Sequence, residues 1–240
     1  MKISENVAVI TIDVDPVMEK NLYLVLAWDD DGNLALFDTG YTIHVEKISQ
    51  AIKDAGFNVA DLTHIFLTHQ DMDHIGGVVD LLKLAPKAKV LAHKDEAPYI
   101  DGRKTPVKLQ QRLDKYGEQD EAGKEQIDNA VKMVAAHRVK IDHELDDGEI
   151  IPICGSIEVM HTPGHTPGHA VYLLNQSGVI VLGDAANAEG GSLVDFYNEY
   201  IQDLPLSQKS LIKINSTSWK TAIAYHTGIL NRCSERPLNQ

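Results

Sequence analysis

The sequence predicts an α/β fold of four layers, in which two β-sheets face each other and helices cover both outer faces. Apolar strand-like runs alternate with amphipathic helical segments in two successive series, and a charged segment without strand pattern separates the series. The chain has 240 residues, of which 43% are hydrophobic and 24% charged, enough for one domain with a large core. We therefore expect a single domain over residues 1–240 that carries a helical insertion at about residues 94–137.

The first series begins with strands. Val7–Asp13 alternates apolar and polar residues, and the apolar runs Asn21–Trp28 and Leu34–Asp38 flank an Asp-Asp-Asp-Gly turn that is typical of a hairpin. His44–Gly56 has apolar residues at helical spacing and ends at a glycine, which predicts a helix. A strand, a helix and a strand are then predicted at Ile65–Thr68, Ile75–Leu84 and Lys89–Ala92.

The insertion differs from the rest of the chain in charge. Residues 101–140 hold nine basic and seven acidic residues, a net charge of +2, whereas the remainder carries −15. Helical periodicity is clearest at Gln126–Val134. We expect a lid that shapes a substrate pocket and favours a carboxylate or phosphate group. The alternative is a solvated helical pair that only covers a sheet.

The second series returns to strands and ends with a helix and a strand. Repeated Pro-Gly pairs mark the turns between them. Strands are predicted at Ile150–Ile153, Ile157–His161, Ala170–Leu174 and Val179–Leu182, a helix at Leu206–Ile214, and a last strand at Thr221–Tyr225.

Composition excludes several classes of function. The net charge of −13, from 35 acidic and 22 basic residues, argues against a nucleic-acid partner. No apolar run approaches the roughly 20 residues that cross a bilayer, and the first residues have no apolar core of a secretory signal. The two cysteines, Cys154 and Cys233, form no disulfide framework. We expect a cytoplasmic protein that acts on a small molecule, with no membrane or nucleic-acid partner and an open oligomeric state.

Potential metal ligands are concentrated at the ends of predicted strands. Thr68–Gly77 contains His69, Asp71, Asp73 and His74, directly after one strand and before a helix. A single Gly-Asp or Tyr-His-Thr-Gly is more often an ordinary turn. Clusters this dense are hard to attribute to packing, because buried charges must be paired or metal-bound. The other candidates at strand ends are Asp38, the loop histidines His161, His165 and His169, Asp184 and His226.

In combination and in chain order, these motifs resemble the metallo-β-lactamase-fold hydrolase superfamily over about residues 20–230. The resemblance implies an αββα sandwich with two divalent metal ions at one edge. It implies that Asp184 bridges the metals and that Asp38 supports the site without binding a metal. One metal would be held by His69, Asp71 and His165, and the other by Asp73, His74 and His226.

The sequence departs from the usual HxHxDH motif at one position, because Asp71 stands where a second histidine is expected. Three carboxylates, two divalent cations and one hydroxide sum to zero charge, whereas a histidine at position 71 would leave +1. Additional carboxylate favours harder cations. Zinc is our first expectation, with manganese or iron as alternatives.

The resemblance implies a hydrolase that uses a hydroxide held by both metals to cleave a small ester, lactone or thioester, with Asp73 as a catalytic residue that orients this nucleophile. The named activities left open are N-acyl-homoserine lactonase and glyoxalase-II-like thioesterase. A β-lactamase and a nuclease are disfavoured. The alternative class is a metal-binding or sensing module of the same fold without turnover.

The remaining histidines and aromatic residues receive weaker predictions. We expect His169 to support the loop rather than to bind a metal, and likewise disfavour His161 as a ligand. Phe196, Tyr197 and Tyr200 either border the pocket or simply pack. The histidines expected at the surface or at helix caps are His44, His64, His93, His137 and His143.

Overall fold

The computed structural model describes residues 1–15, 20–116 and 121–232. Its first sheet is antiparallel from β1 to β4 and parallel from β4 to β7, in the same order as the chain. The strands are β1 (Lys2–Ser4), β2 (Val7–Asp15), β3 (Lys20–Trp28), β4 (Leu34–Phe37), β5 (His64–Leu67), β6 (Lys89–His93) and β7 (His143–Leu145).

The second sheet faces the first. Its strands are β8 (Ile150–Ile151), β9 (Ile157–His161), β10 (Ala170–Leu174), β11 (Val179–Gly183), β14 (Thr221–Ala224) and β15 (Gly228–Asn231). Their spatial order is β15-β14-β11-β10-β9-β8, with β11 and β14 parallel. A separate ribbon is formed by β12 (Asn187–Glu189) and β13 (Ser192–Val194).

Helices cover the outer faces and form the insertion. Short 3₁₀ turns lie at Thr42–His44, Val59–Asp61 and Asn198–Tyr200. The α-helices are α1 (Val45–Asp54), α2 (Met72–Ile75), α3 (Val78–Leu84), α4 (Ala97–Ile100), α5 (Val107–Tyr116), α6 (Glu121–Ala136) and α7 (Leu204–Asn215). None of the helices within the described ranges has the length and apolar character that a membrane crossing requires.

Three apolar clusters correspond to the three interfaces of a four-layer fold, which confirms the predicted architecture. Strand β3 is continuously apolar because its successive residues point to opposite buried faces of the sheet. Val25 belongs to the cluster between the two sheets, whereas Leu24 belongs to the cluster that contains Ile48 of helix α1. On the far side, Ile180 of β11 packs with Ile214 of α7. Both faces of each central strand are therefore buried.

The predicted helix at Ile75–Leu84 is wrong as a single element, because α2 ends at Ile75 and α3 begins at Val78. Gly76 and Gly77 lie against other backbone at this break. A Cβ atom on Gly76 would lie 2.5 Å from the Met72 carbonyl oxygen, and one on Gly77 would lie 2.4 Å from the Thr39 carbonyl oxygen. The two glycines thus allow the first ligand loop to pack directly against the end of β4.

Thr221–Tyr225 is not the last strand, since β15 follows it and pairs with β14. The short strands β1 and β7 were also not predicted. Each has three residues and includes exposed polar positions, so neither has an apolar run to mark it. Pairing with a longer neighbouring strand, rather than local sequence, stabilises such elements.

The segment predicted as an insertion is helical, since α4, α5 and α6 lie between β6 and β7. The Arg138 side chain, which follows α6, packs against Gly102, which follows α4: a Cβ atom on Gly102 would lie 2.6 Å from the Arg138 Cδ atom. The neighbouring His137 ring is 3.1 Å from the Thr42 hydroxyl, beside α1.

Candidate metal centre

The candidate ligands reach one edge of the sandwich from both sheets. His69 to His74 follow β5 of the first sheet and run into α2. His165 lies in the loop between β9 and β10 of the second sheet, Asp184 follows β11, and His226 follows β14. The strand ends of two facing sheets therefore supply side chains to the same small volume.

A first group contains His69, Asp71, His165 and Asp184, all buried. Asp71 Oδ2 lies 3.2 Å from His69 Nε2 and 3.0 Å from His165 Nε2. Asp184 Oδ2 lies 3.5 Å from the same His165 nitrogen. One imidazole nitrogen from each histidine and one oxygen from each carboxylate thus face a common point.

A second group contains Asp73, His74 and His226. His226 Nε2 is 3.3 Å from Asp73 Oδ2. Asp184 Oδ1 is 3.3 Å from both His74 Nε2 and His226 Nε2. Asp184 therefore directs one carboxylate oxygen at each group, which is the geometry of a bridging ligand.

The donor set fits two divalent cations. His69 Nε2, His74 Nε2 and Asp184 Oδ1 are buried and have no hydrogen-bond partner, although such atoms are normally satisfied. Burial raises the pKa of Asp184, but the neighbouring His74 and His226 outweigh burial and hold it well below its ordinary value. The Asp184 carboxylate is therefore ionised, which is the form that binds a cation.

Asp38 orients one ligand without joining either group. Its Oδ2 lies 2.8 Å from His74 Nδ1, which leaves His74 Nε2 directed at the centre. The Thr68 amide and hydroxyl both donate hydrogen bonds of 2.9 Å to the same carboxylate. Asp38 is fully buried and has a positive φ of 59°, a conformation that Asp and Asn tolerate better than most residues. Such carboxylate–histidine pairs fix the orientation of metal-binding imidazoles.

His169 supports the site from behind, as expected. Its Nε2 accepts a hydrogen bond of 3.1 Å from the Asp184 amide, so Nδ1 carries the proton and donates to the Thr162 hydroxyl at 2.9 Å. Burial lowers the pKa of His169 well below its usual value, and the neutral ring can hold the Asp184 backbone in place. His169 lies outside both candidate groups.

Glu96 joins the two ligand loops, and sequence reasoning missed it. Its Oε1 accepts hydrogen bonds from the Gln70 amide at 2.9 Å and the Gln70 side chain at 2.8 Å, and its Oε2 accepts from the Gly168 amide at 2.8 Å. Burial raises its pKa to about 7, an effect that these donors offset in part. Lys94-Asp95-Glu96 has the composition of an exposed turn, so no local signal distinguishes this carboxylate.

A cavity of about 570 Å³ opens onto the candidate ligands. Phe196, Tyr197 and Tyr200 line it, which supports the first of the two predictions for these residues. Lys108 of α5 also lines it and forms an ion pair with Asp71. Its Nζ atom lies 5.5 Å from the centre of the Tyr200 ring. The positively charged Lys108 side chain of the insertion thus lies at the cavity beside the candidate ligands.

The surface prediction for His93 is wrong, because this side chain is buried and stacks on His161 at 4.1 Å between ring centres. His44 is buried and occupies the N-cap position of α1 without a side-chain cap hydrogen bond there; its Nδ1 instead accepts a hydrogen bond of 3.2 Å from the Tyr41 amide. His161 lies away from the two groups, beside His93 and Asp95. Cys154 is buried with a free thiol, while Cys233 lies outside the described residues.

Comparison with known proteins identifies related sequences and folds. The family model of the metallo-beta-lactamase superfamily matches residues 16–223. An atrochrysone carboxyl ACP thioesterase from Pseudocercospora fijiensis is 26% identical over 183 residues, which are 76% of this chain and 40% of that protein. The hydroxyacylglutathione hydrolase GloC from Haemophilus influenzae is 26% identical over 192 residues, which cover 77% of this chain and 76% of the hydrolase.

A solved structure shows the same fold. A metallo-beta-lactamase family protein from Thermus thermophilus superimposes with a TM-score of 0.72 at 22% identity, over 96% of this chain and 76% of that one. The chain spans less than half the length of the thioesterase that it resembles.

Proposed function

The chain belongs to the metallo-beta-lactamase superfamily and is a metallo-hydrolase, and we propose that its substrate is a small thioester. A thioesterase and a hydroxyacylglutathione hydrolase among its relatives support this choice over the simple esters and lactones that the same chemistry would cleave. The substrate and any protein partner of the whole molecule are part of this proposal.

The arrangement of Asp184 carries the proposal, since its two oxygens face two separate donor groups. We propose that this residue bridges two divalent cations. When bound, the cations would polarise the substrate carbonyl and lower the pKa of a water molecule toward neutrality. One cation would be held by His69, Asp71 and His165, and the other by Asp73, His74 and His226.

Asp73 is the proposed catalytic residue among these ligands. Its carboxylate lines the cavity and is about one-fifth exposed, whereas Asp71 and Asp184 are more deeply buried. Burial raises the pKa of Asp73, but His74 and His226 together outweigh burial, lower the pKa and keep the carboxylate ionised. Asp73 can therefore hold a water molecule through one oxygen and accept its proton during attack on the carbonyl carbon.

Zinc is the proposed metal, and Asp71 extends the choice to manganese or iron. Zinc accepts histidine and carboxylate ligands alike. The additional carboxylate at position 71 is a harder ligand than the histidine it replaces, which improves the relative affinity for Mn²⁺ and Fe²⁺.

The test uses metal-free protein reconstituted separately with Zn²⁺, Mn²⁺ and Fe²⁺ and measured on panels of thioesters, lactones and phosphodiesters. We expect about two metal equivalents per chain and thioester hydrolysis that chelator abolishes. Asp184→Asn should lose both, whereas Asp31→Asn, in an exposed turn, should lose neither. Tight binding of metal without turnover of any panel would instead identify a non-catalytic metal-binding module.

A further inference from the structure

A second cavity of about 310 Å³ lies between α2, α4 and the insertion helices α5 and α6. Most of its wall is apolar. The apolar residues that line it include Ile75 from α2, Ile100 from α4, Leu109 from α5, and Ala130, Met133 and Val134 from α6. Its volume is within the roughly 300–1,000 Å³ typical of small-molecule sites.

This second cavity adjoins the metal-centre cavity. Tyr41, Asp71, Asp73 and Lys108 line both. Since Asp71 and Asp73 are candidate metal ligands, a carbonyl group held at the centre would lie at the border of the two cavities. The second cavity has the more apolar wall of the two.

The division of polarity assigns an arm of the substrate to each cavity. Glu199, Tyr197 and Tyr200 line the first cavity, which suits the polar thiol half of a thioester. The second cavity would bury methylene groups against Leu109 and Met133. Besides the four residues shared with the first cavity, the polar residues along it are Gln70, Tyr99, Arg112 and His137, and Arg112 is exposed to solvent. The side-chain oxygen Oε1 of Gln70 accepts a hydrogen bond of 2.7 Å from the Val107 amide, so this oxygen is already paired within the protein.

We infer that the cavity between α2 and the insertion helices binds the aliphatic acyl chain of the substrate, so that the insertion determines acyl-chain length. This inference rests on the proposed function. Burial of one methylene group contributes about 0.8 kcal/mol, which is about a fourfold gain in kcat/KM if the chain is buried in the transition state. An enzyme with this cavity prefers medium-length acyl chains to acetyl.

The test compares acetyl, butyryl, hexanoyl, octanoyl and decanoyl thioesters of N-acetylcysteamine with the metal-loaded protein. We expect kcat/KM to rise at least tenfold from acetyl to octanoyl. Ala130→Phe places a ring in the cavity and should remove at least nine-tenths of the octanoyl activity with little change on acetyl. Val131→Phe is the matched control, because Val131 is the next residue of α6, is exposed and does not line the cavity.

A second variant covers the case in which Ala130→Phe does not fold. Met133 lines the same cavity and is partly exposed, so Met133→Trp should be tolerated and should also shift the preference to shorter chains. Equal kcat/KM for acetyl and octanoyl, or an octanoyl preference that survives in the folded variants, would overturn this inference alone. Failure of the metal-loaded protein to hydrolyse any thioester would overturn the proposed function and this inference together.

Discussion

Asp71 distinguishes this site from the histidine pattern that its motif resembles, and its Oδ2 lies 3.0 Å from His165 Nε2. We predict that Asp71→His shifts the metal preference toward zinc, because the change removes one negative charge and adds a softer nitrogen ligand. Competition of Zn²⁺ against Mn²⁺ for both proteins, with metal content measured after dialysis, tests this. An unchanged ratio of bound manganese to zinc would contradict the charge argument.

Most of the candidate ligands could be predicted from local sequence, because they lie in the loops or the first helical turn that follow strands with apolar sequences. Glu96 and Lys108 could not. Their roles depend on where the insertion packs, since Glu96 meets Gly168 and Lys108 meets Asp71 across large distances in sequence. The burial of His93 also could not be predicted, because it depends on stacking against His161, which is distant in sequence.

At the scale of elements, the ends of the insertion define a clean deletion. Because the Arg138 side chain packs against Gly102, we expect that a Gly-Ser linker can replace residues 103–137 without displacing β6 or β7. We predict that this protein keeps both metals and its activity on acetyl thioesters, but loses its octanoyl preference and its discrimination between anionic and neutral substrates. Metal analysis and kcat/KM on matched substrate pairs measure these properties.

Replacing residues 94–137 is the informative comparison, because that deletion also removes Glu96 and its hydrogen bonds to the two ligand loops. We expect the larger deletion to lose metal as well as specificity. If the smaller deletion folds, binds both metals and keeps its full kcat/KM on octanoyl thioester, the insertion is not a substrate lid.

Whether an element could be predicted from sequence depends on how much apolar sequence it contains. Long strands such as β3 and β10 could be predicted because both of their faces are buried and their sequences are almost continuously apolar. The break between α2 and α3 depends on contact between Gly77 and the Thr39 backbone, which helical periodicity alone does not show.

For the molecule as a whole, His93 makes stability depend on pH. Burial, and then the neighbouring His161, lowers the pKa of His93 from 6.5 to about 4. Between these values the unfolded chain binds a proton that the folded chain does not, so the free energy of unfolding decreases as pH falls from 6.5 to 4. With about 1.4 kcal/mol for each pKa unit, the upper limit of this loss is about 3 kcal/mol.

We predict that His93→Phe, which keeps an aromatic ring against His161, weakens this dependence. Urea unfolding of metal-free protein at several pH values between 7 and 4 measures this dependence. The quantity to compare is the slope of the unfolding free energy against pH, because His93→Phe also loses the hydrogen bond from the Asp95 amide and so changes the absolute stability. His143→Gln, at an exposed position, is the control. Parallel curves for wild type and His93→Phe would contradict the prediction.

The candidate ligands are divided between two sheets, and this division has a kinetic consequence. Asp71 and Asp73 follow β5 of the first sheet, while His165 and His226 belong to loops of the second. A nascent chain with only one sheet formed offers an incomplete set of donors for either cation. Complete coordination would therefore require both sheets to have docked, so metal uptake would be a late event in folding. Interactions that form after the transition state slow unfolding more than they accelerate folding, so bound cations would slow the separation of the two sheets.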